Sequence, residues 1–515
     1  MIKIGKEDIT IAKFSSFLFD NQKVEIDKTA WDRVDESFHF LEEFSKDKLI
    51  YGINTGLGPM AQYKINNKDR IQLQYNAIRS HAAGSGEPLS DLFVMATMFA
   101  RLNTLSKGYS GIHTDTLVIL KDFINHGIIP FIPEHGGVGA SGDLVQLSHL
   151  ALNLIGEGEV TFQGRKQEAR VVLKECGIKP LKIHLREGLS LINGTSAMTG
   201  IGLVNLIRAK RLLNWSVLAS CLINEIVQSF DDHLSEELNG VKNHYGQLKI
   251  AREMRNILTD STLIRTRSEH LYHKKINGSI LREKVQEYYS LRCVPQILGP
   301  VFDTLSVSEK ILIDELNSVS DNPIIDVANK NVFHGGNFHG DYISLEMDKI
   351  KLAITKLSML AERQLNYLLN NKLNQILPPF INLGTLGLNF GMQGMQFTAT
   401  STVAENQTLS NPMYVHSISC NNDNQDIVSM GTNAALITRK VIDNAFEVLA
   451  IEWIALIQCV DFLKIEDKCS STTKDIYSKL RNIVPVFIED TTKYKEIKEI
   501  RNYLNQNNPI TDSLK

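Results

Sequence analysis

The sequence predicts a mainly α-helical protein, with a loop-rich N-terminal part (residues 1–195) and a bundle of long helices that forms the scaffold (residues 196–515). Residues 196–230 and 345–377 carry apolar side chains at helical intervals, and the second stretch contains neither glycine nor proline. Both stretches exceed the usual length of a globular helix, roughly 8 to 20 residues. Clean alternating strand patterns are few, and they do not alternate with helices as a βαβ protein would require.

Two further stretches extend the predicted bundle. Residues 303–316 have helical periodicity, and residues 441–463 form the most apolar long stretch of the chain. A membrane span needs about 20 residues that are almost free of charge. The second stretch is interrupted by four acidic residues, so it predicts a core helix: Asp443, Glu447, Glu452 and Asp461. By contrast, the polar stretch 239–284 predicts an exposed excursion.

Composition excludes several classes of partner. The 515 residues include 55 basic and 58 acidic side chains, a net charge of −3, whereas nonspecific nucleic-acid binding needs a positive excess. The N-terminus has no apolar segment followed by a cleavage site. The cysteines form no C-x-x-C pair, so they predict free thiols in a reducing cytoplasm and no metal site: Cys176, Cys221, Cys293, Cys420, Cys459 and Cys469. We expect a cytoplasmic protein with neither nucleic-acid nor membrane partners.

The segment GVGASG at residues 137–142 matches the letters of a dinucleotide-binding loop, G-x-G-x-x-G. That loop needs a strand before its first glycine and a helix after its last one. Residues 144–155 have a credible helical pattern. The preceding IIPFIPEH, however, contains Pro130 and Pro133, and proline is excluded from central strands. The context therefore disfavours nucleotide binding.

The same segment offers a chemical alternative in Ala140-Ser141-Gly142. The amide nitrogen of Gly142 has no neighbouring Cβ to block its approach to the Ala140 carbonyl carbon. Ring closure with loss of one water, followed by loss of a second water from Ser141, would leave an exocyclic methylidene group. Asp143 begins the following helix, whose positive end would favour negative charge nearby. The tripeptide alone is too short to be specific.

A set of ordered motifs makes it specific. HGGVGASGDLVQLSHLAL resembles the signature of the aromatic amino acid ammonia-lyase and aminomutase family, which carries the methylidene-imidazolone (MIO) group. The resemblance covers essentially the whole chain and looks closest to bacterial tyrosine ammonia-lyases. Its other motifs occur in the expected order: YGINTGLGPM (51–60), RSHAAGSG (79–86), EGLSLINGTSAMTG (187–200), QEYYSLRCVPQILG (286–299), SDNPIID and GGNFHG (320–340), and NNDNQDIVSMG (421–431).

The resemblance implies an architecture like that of the aspartase and fumarase lyase superfamily. It implies removal of ammonia from an L-aromatic amino acid, which leaves a trans-arylacrylate. The electrophile would be MIO formed autocatalytically from Ala140-Ser141-Gly142, with no metal and no dissociable cofactor. The family also implies a homotetramer whose active sites are shared between subunits, and the only partner expected otherwise is the amino acid substrate.

Five side chains match catalytic positions of the family. Tyr51 matches the base, and a phenol with a reference pKa of about 10 needs activation by its surroundings for that role. Arg292 matches the carboxylate clamp, because its fork can hold two oxygens at once. Asn193 matches a residue that hydrogen-bonds near MIO and the carboxylate, and Gln286 and Tyr289 match residues that organise the ring and the amine. Without the motifs, a buried turn tyrosine and a surface salt bridge would explain Tyr51 and Arg292.

The substrate-binding candidates point in two directions. Ser80-His81 is the pair found in histidine ammonia-lyases, whereas Gln425 stands where those enzymes place a glutamate. A neutral glutamine offers no base to an imidazole, so His81 is better explained as a hydrogen-bond partner for a phenol. Phe338 matches the aromatic wall beside MIO, and a core phenylalanine is the alternative explanation. The resemblance also implies that the adjacent Asn337 assists in binding the carboxylate.

Together these residues predict a tyrosine ammonia-lyase that forms trans-p-coumarate. Histidine ammonia-lyase, which forms urocanate, is the first alternative. Tyrosine or phenylalanine 2,3-aminomutase is the second, because it shares the adduct chemistry but lets ammonia return to the product. A catalytically inactive helical scaffold is the alternative outside enzymes, and no residue supports it.

Overall fold

The computed structural model describes residues 1–273, 279–280 and 284–510, and it confirms the mainly helical fold class. The helices in the described part are α1 (Ile11–Phe19), α2 (Lys28–Phe44), α3 (Arg70–His81), α4 (Asp91–Ser106), α5 (Thr114–His126), α6 (Leu144–Leu154), α7 (Ala169–Glu175), α8 (Glu187–Ile192), α9 (Ser196–Ile226), α10 (Glu236–Gly240), α11 (Tyr245–Leu258), α12 (Tyr289–Arg292), α13 (Val294–Leu316), α14 (Asp341–Leu369), α15 (Asn371–Asn374), α16 (Gln393–Leu409), α17 (Gly431–Leu463), α18 (Ser471–Arg481) and α19 (Tyr494–Gln506).

The strands are short and form small separate sheets. The first two strands, β1 and β2, form a parallel pair. The other strands form antiparallel sheets in the orders β3–β5, β4–β6–β7 and β8–β9. The strands are β1 (Ile2–Ile4), β2 (Val24–Ile26), β3 (Ser85–Pro88), β4 (Ile129–Pro130), β5 (Pro133–His135), β6 (Glu159–Phe162), β7 (Arg165–Glu168), β8 (Ile324–Asp326) and β9 (Asn331–Phe333). The two prolines before the glycine-rich segment thus lie in strands of two or three residues. The parallel pair β1–β2, with α1 between its strands, includes neither of them.

The predicted long helices are present, with shifted ends. Residues 196–230 correspond to α9 and residues 345–377 to α14, whereas α17 begins ten residues before the predicted 441. Helix α13 begins at Val294 instead of 303 and runs through Pro300. Proline removes one helical N–H, and buried apolar residues on both sides of it, such as Leu298 and Val301, hold the helix in place.

One sequence expectation was wrong. Residues 239–284 were expected to be an exposed excursion, but they include α11, which buries Ile250, Met254 and Ile257 on one face. Its polar residues lie on the other face, and their number hid the apolar stripe. Part of this stretch, 274–278 and 281–283, lies outside the described residues.

The described chain divides into two compact units that are interleaved in sequence. The first unit contains residues 1–206, 308–348 and 412–438, and the second unit contains residues 207–307, 349–411 and 439–515. Our division into 1–195 and 196–515 remains a prediction, because it concerns two contiguous functional parts. No helix among the described residues combines the length and apolar character that a membrane span requires.

In the first unit, α3, α6 and α8 pack on one another. Each of these helices places one site segment: His81 ends α3, the reactive segment precedes α6, and Asn193 follows α8. Here and below, "reactive segment" means Ala140-Ser141-Gly142. The packing of these three helices therefore brings together three motifs that are far apart in sequence.

In the second unit, the later parts of the long helices form the core. Trp215 and Trp453 meet edge to face at 5.5 Å, and Gln364 donates hydrogen bonds to Ser220 (3.0 Å) and to the Ser290 carbonyl (2.8 Å). These contacts join α9, α14 and α17 with the segment that carries α12.

Candidate active site

The reactive segment lies in the loop between β5 and α6, and hydrogen bonds to its preceding residues fix that loop. The Val138 carbonyl accepts from the Met430 N–H at 2.9 Å. The Gly139 carbonyl accepts from the Gly340 N–H at 3.1 Å and from the Ser429 hydroxyl at 2.9 Å. Two motifs far apart in sequence, GGNFHG and NQDIVSMG, thereby hold the entry to the segment.

Gly142 sits where a side chain has no room. Its φ of +69° is in the left-handed region, which favours glycine. A Cβ at this position would lie 2.0 Å from the carbonyl oxygen of Gly194. That same oxygen accepts the Asp143 N–H at 2.7 Å. The turn at Gly194 therefore lies in direct contact with the end of the reactive segment.

Asp143 is fully buried and binds the start of a different helix from the one it precedes. Its carboxylate accepts from the N–H groups of Ala197 (2.8 Å) and Met198 (2.9 Å) at the beginning of α9, and from Thr432 (2.5 Å). Burial raises its pKa to about 6, and these hydrogen bonds oppose the rise. The side chain thus ties the reactive segment to α9, with no hydrogen bond to the N-terminus of α6.

A cavity of about 370 Å³ opens beside the reactive segment, entirely within the first unit. We call it the site cavity. Six of the predicted site residues line it: Tyr51, His81, Ser141, Asn193, Phe338 and Gln425. Aliphatic side chains complete one wall, including Leu57, Leu144, Leu189 and Ile192. Polar and aliphatic side chains therefore line one cavity together, as in small-molecule sites.

Hydrogen bonds orient two of the cavity's titratable side chains. The Tyr51 hydroxyl oxygen accepts from the Gly58 N–H at 2.9 Å. In His81, Nδ1 lies 2.8 Å from the Ala77 carbonyl, which can only accept. We therefore assign the proton of the neutral ring to Nδ1, which leaves Nε2 as an acceptor.

Gln425 touches the reactive segment. Its Nε2 donates to the Ser141 hydroxyl at 2.9 Å, and its Oε1 accepts from the Cys420 thiol at 3.4 Å. The two contacts hold the Gln425 amide between Ser141 and Cys420. The backbones of Cys420 and Gln425 also pair with each other, which closes the loop between them.

Asn193 is held by a buried ion pair. Its Nδ2 donates to Asp321 (3.1 Å) and to the Asn322 carbonyl (3.2 Å), so both amide hydrogens have partners. Asp321 in turn forms a bidentate pair with Arg186, at 3.0 and 3.1 Å, and both side chains are fully buried. The Asn193 side-chain oxygen is the atom left to address a ligand.

Two predicted binding residues are placed differently. Among the described residues that line the site cavity, neither Ser80 nor Asn337 appears. The Ser80 hydroxyl donates to the Ala77 carbonyl of its own helix at 3.3 Å, and Asn337 is exposed. The roles predicted for Ala140 and Gly142 in ring closure involve backbone atoms only, the Ala140 carbonyl and the Gly142 nitrogen. The roles of Ser80 and Asn337 remain predictions.

The other three predicted residues belong to the second unit and lie together there. Arg292 donates to the Gln286 side-chain oxygen, and its guanidinium lies 4.8 Å from the centre of the Tyr289 ring. Gln286 and Tyr289 are exposed, the latter by 71%. We call these three residues the Arg292 cluster.

Sequence reasoning missed several residues of the first unit. Asn421 and Asn424 line the site cavity, and both lie in a motif of which only Gln425 was singled out. Arg101, Arg186 and Asp321 are fully buried charges close to Asn193. A charged residue inside an apolar run, as in FARLNTL (99–105), was the available signal.

Comparison with known proteins agrees with this geometry. The sequence model of a family described as aromatic amino acid lyase matches residues 9–482. A tyrosine 2,3-aminomutase of Chondromyces crocatus is 38% identical over 98% of this chain and 96% of its own, and a histidine ammonia-lyase of Staphylococcus aureus is 39% identical over 97% of both. The crystal structure of a tyrosine aminomutase from Streptomyces globisporus superposes with a TM-score of 0.93 at 36% identity, covering 98% of this chain and 97% of that one.

Proposed function

This chain belongs to the aromatic amino acid lyase family, whose members are enzymes of the carbon–nitrogen lyase type, and from that premise we propose that it eliminates ammonia from L-tyrosine to give trans-p-coumarate. One observation carries the choice of substrate. His81 lines the same cavity as Tyr51 and Ser141, and the bond from its Nδ1 to the Ala77 carbonyl leaves Nε2 as the accepting nitrogen. A tyrosine hydroxyl can donate to that nitrogen, and phenylalanine has no such group.

The residues present fit the MIO group. The positive φ of Gly142 and its contact with Gly194 leave the Gly142 nitrogen on a bend that only glycine tolerates, and Ser141 already faces the site cavity. Ala140 is buried, which keeps water from its carbonyl. Once formed, MIO would supply an electrophile for the substrate amine, which is otherwise a poor leaving group.

The remaining steps fall to side chains. Tyr51 would remove the β-proton of the substrate, with its hydroxyl held in place by the Gly58 N–H. Asn193 would hydrogen-bond through its free side-chain oxygen, and Phe338 would form a wall of the cavity. The carboxylate would bind Arg292. We propose a homotetramer in which the Arg292 cluster of one subunit serves the site cavity of another.

Two other activities are candidates. The similarity to tyrosine 2,3-aminomutases favours an enzyme that returns ammonia to the β-carbon of the same substrate. Similarity to histidine ammonia-lyases is equally high. Against histidine, the cavity presents the neutral Gln425 amide, whose Nε2 already donates to Ser141. An imidazole substrate would find no carboxylate at that position.

Two measurements test the proposal. The intact mass of the purified chain should be lower than the sequence mass by two waters, and a full-length mass would contradict MIO formation. Separate incubations with tyrosine, phenylalanine and histidine should then give arylacrylate absorbance with tyrosine. Product from histidine alone would show that His81 was assigned wrongly, and β-tyrosine in the mixture would identify a mutase.

A further inference from the structure

Arg101 is a fully buried residue of α4 that contacts the turn at Asn193 and Gly194, next to the reactive segment. We infer that Arg101 is a positioning residue for ring closure: its guanidinium holds the turn at Asn193 and Gly194 against Gly142. This inference rests on the proposed function, because it assumes that Ala140-Ser141-Gly142 cyclises.

The first step of the argument is the contact between Arg101 and the turn. Its Nη2 donates to the carbonyl oxygens of Ser190 and Asn193, the latter at 3.0 Å. These carbonyls lie at the end of α8, where helical hydrogen bonding stops and a cation is favourable. Gly194 follows with a φ of +143°, and a Cβ there would lie 2.5 Å from Nη1 of Arg101. The backbone of the turn therefore lies directly on the guanidinium.

The second step is the contact on the opposite side of the turn. The Gly194 carbonyl accepts the Asp143 N–H at 2.7 Å, and Gly142 and Gly194 form a parallel bridge. Arg101 is thus connected to the reactive segment through a single turn of backbone. Movement of that turn would change the bend at Gly142, whose nitrogen must reach the Ala140 carbonyl.

The third step is the cost of the buried charge. Among the described residues, Nε and Nη1 of Arg101 have no hydrogen-bond partner. Burial lowers the pKa of Arg101 to about 10, although Asp321 and Asp143 favour its charged form. Arg186 pairs with Asp321, so this buried group contains two positive and two negative side chains: Arg101, Arg186, Asp321 and Asp143. Apolar residues would fill such a space at lower cost, so the guanidinium indicates a specific requirement for a donor, its Nη2, that reaches both the Ser190 and the Asn193 carbonyl.

The positioned reaction is a balanced double dehydration. The Gly142 nitrogen forms a bond to the Ala140 carbonyl carbon, and its proton moves to the former carbonyl oxygen. That oxygen leaves as water with the Ser141 amide proton, which creates a C=N bond. The second water takes the Ser141 hydroxyl and its α-proton, which leaves the methylidene. No oxidant or reductant is required.

The experiment measures ring closure directly. The wild-type chain, Arg101→Met and Arg101→Lys are made by pulsed cell-free synthesis, and the soluble, helical fraction is sampled over time by intact mass. We expect Arg101→Met to lose its two waters at least about tenfold more slowly, since about 1.4 kcal/mol of lost positioning has that effect. Arg101→Lys keeps the charge but not the fork, so its rate should lie between the two.

A matched control separates positioning from simple loss of a buried arginine. Arg481 in the second unit has a side chain that is 10% exposed and pairs with Asp461, and Arg481→Met should cyclise at the wild-type rate. If Arg101→Met does not fold, the rate of Arg101→Lys decides. Wild-type rates in every folded Arg101 variant would overturn the inference, whereas a wild-type chain that keeps its full mass would instead refute the proposed function.

Discussion

The site cavity of the first unit and the Arg292 cluster of the second unit hold their functional side chains in opposite ways. Around the cavity, the side chains are fixed by hydrogen-bond partners within the first unit: Asn193 by the buried Asp321, Gln425 by Cys420, and His81 by its own helix. In the cluster, Arg292 contacts two exposed neighbours, and Tyr289 shows 71% of its surface to solvent.

This difference separates two kinds of preorganisation. The reactive segment needs an accurate bend before any substrate arrives, so its supports are internal and fold with the first unit. A carboxylate clamp needs its final geometry only when the site is complete. Exposed aromatic and arginine side chains are typical of surfaces that another protein covers. The comparison therefore favours a site completed by a neighbouring subunit.

The largest effect should come from the reactive segment. Ser141→Ala removes the hydroxyl that becomes the methylidene, so the chain should keep at least one of the two waters. Ammonia release should fall by more than about a thousandfold, because the amine loses its activating electrophile. Intact mass and coumarate absorbance measure both changes. Equal activity in Ser141→Ala would remove this segment from the mechanism.

The next effect should come from the cluster. Arg292→Lys replaces a two-pronged donor with a single ammonium, and we expect kcat/KM for tyrosine to fall by about a hundredfold, as misplacement of a substrate can cause. The intact mass should stay two waters short, since ring closure takes place in the first unit. Arg363→Lys is the control, because Arg363 lines the same cavity of the second unit as Gln286 and Tyr289. A similar loss in both variants would mean that Arg292 has no special role.

Mixing the two impaired variants tests whether subunits share sites. If one subunit supplies the site cavity and another supplies the Arg292 cluster, co-expressed Ser141→Ala and Arg292→Lys chains should form some sites with both parts intact. Activity should then exceed the sum of the separate variants. No gain on mixing, in tetramers shown to be mixed by mass, would assign both parts to one chain.

A further effect should appear in substrate choice, while the reaction itself is retained. His81→Phe removes the accepting Nε2 and leaves an apolar ring, so the ratio of kcat/KM for tyrosine to that for phenylalanine should fall by about a hundredfold or more. Phenylalanine turnover should rise or stay constant. Ser80→Ala is a neighbouring control: Ser80 does not line the site cavity, and its hydroxyl donates to the Ala77 carbonyl and lies 3.1 Å from His81 Nδ1. Unchanged selectivity in His81→Phe would remove the histidine from phenol binding.

The sequence predicted much of this arrangement, with limits that have physical causes. Long periodic helices were found because an apolar stripe is a local property, and α11 was missed because its apolar face lies among many charges. Six residues of the site cavity were predicted through motifs, whereas Asn421 and Asn424 were not. Arg101 and Asp143 could not be assigned their side-chain contacts, because the partners are 54 or more residues away in sequence and become neighbours only when the helices of the first unit pack.

The smallest effect concerns the stability of the first unit alone. Glu187 begins α8, and its buried carboxylate accepts from the N–H groups of His113 (2.8 Å) and His184 (2.7 Å) and from Thr116 (2.9 Å). Burial raises its pKa to about 7. The folded chain therefore binds a proton that the unfolded chain releases between about pH 4.5 and pH 7. The stabilisation is full below that range and is lost as the pH rises through about 7.

Glu187→Gln should remove this titration without removing the chemistry. We expect the difference in unfolding free energy between wild type and variant to fall by about 2 to 3 kcal/mol from pH 4.5 to pH 8, as measured by urea unfolding at several pH values. Glu157→Gln is the control with the opposite sign, because its hydrogen bond with Arg79 lowers the pKa of Glu157.

The folded Glu187→Gln chain should still be two waters short, since Glu187 contacts α5 and the entry to α8 and makes no contact with the reactive segment among its described hydrogen bonds. A slope unchanged from wild type would show that Glu187 stays ionised in the fold. Incomplete ring closure would show that the α8 anchor and the Arg101 support act as one unit.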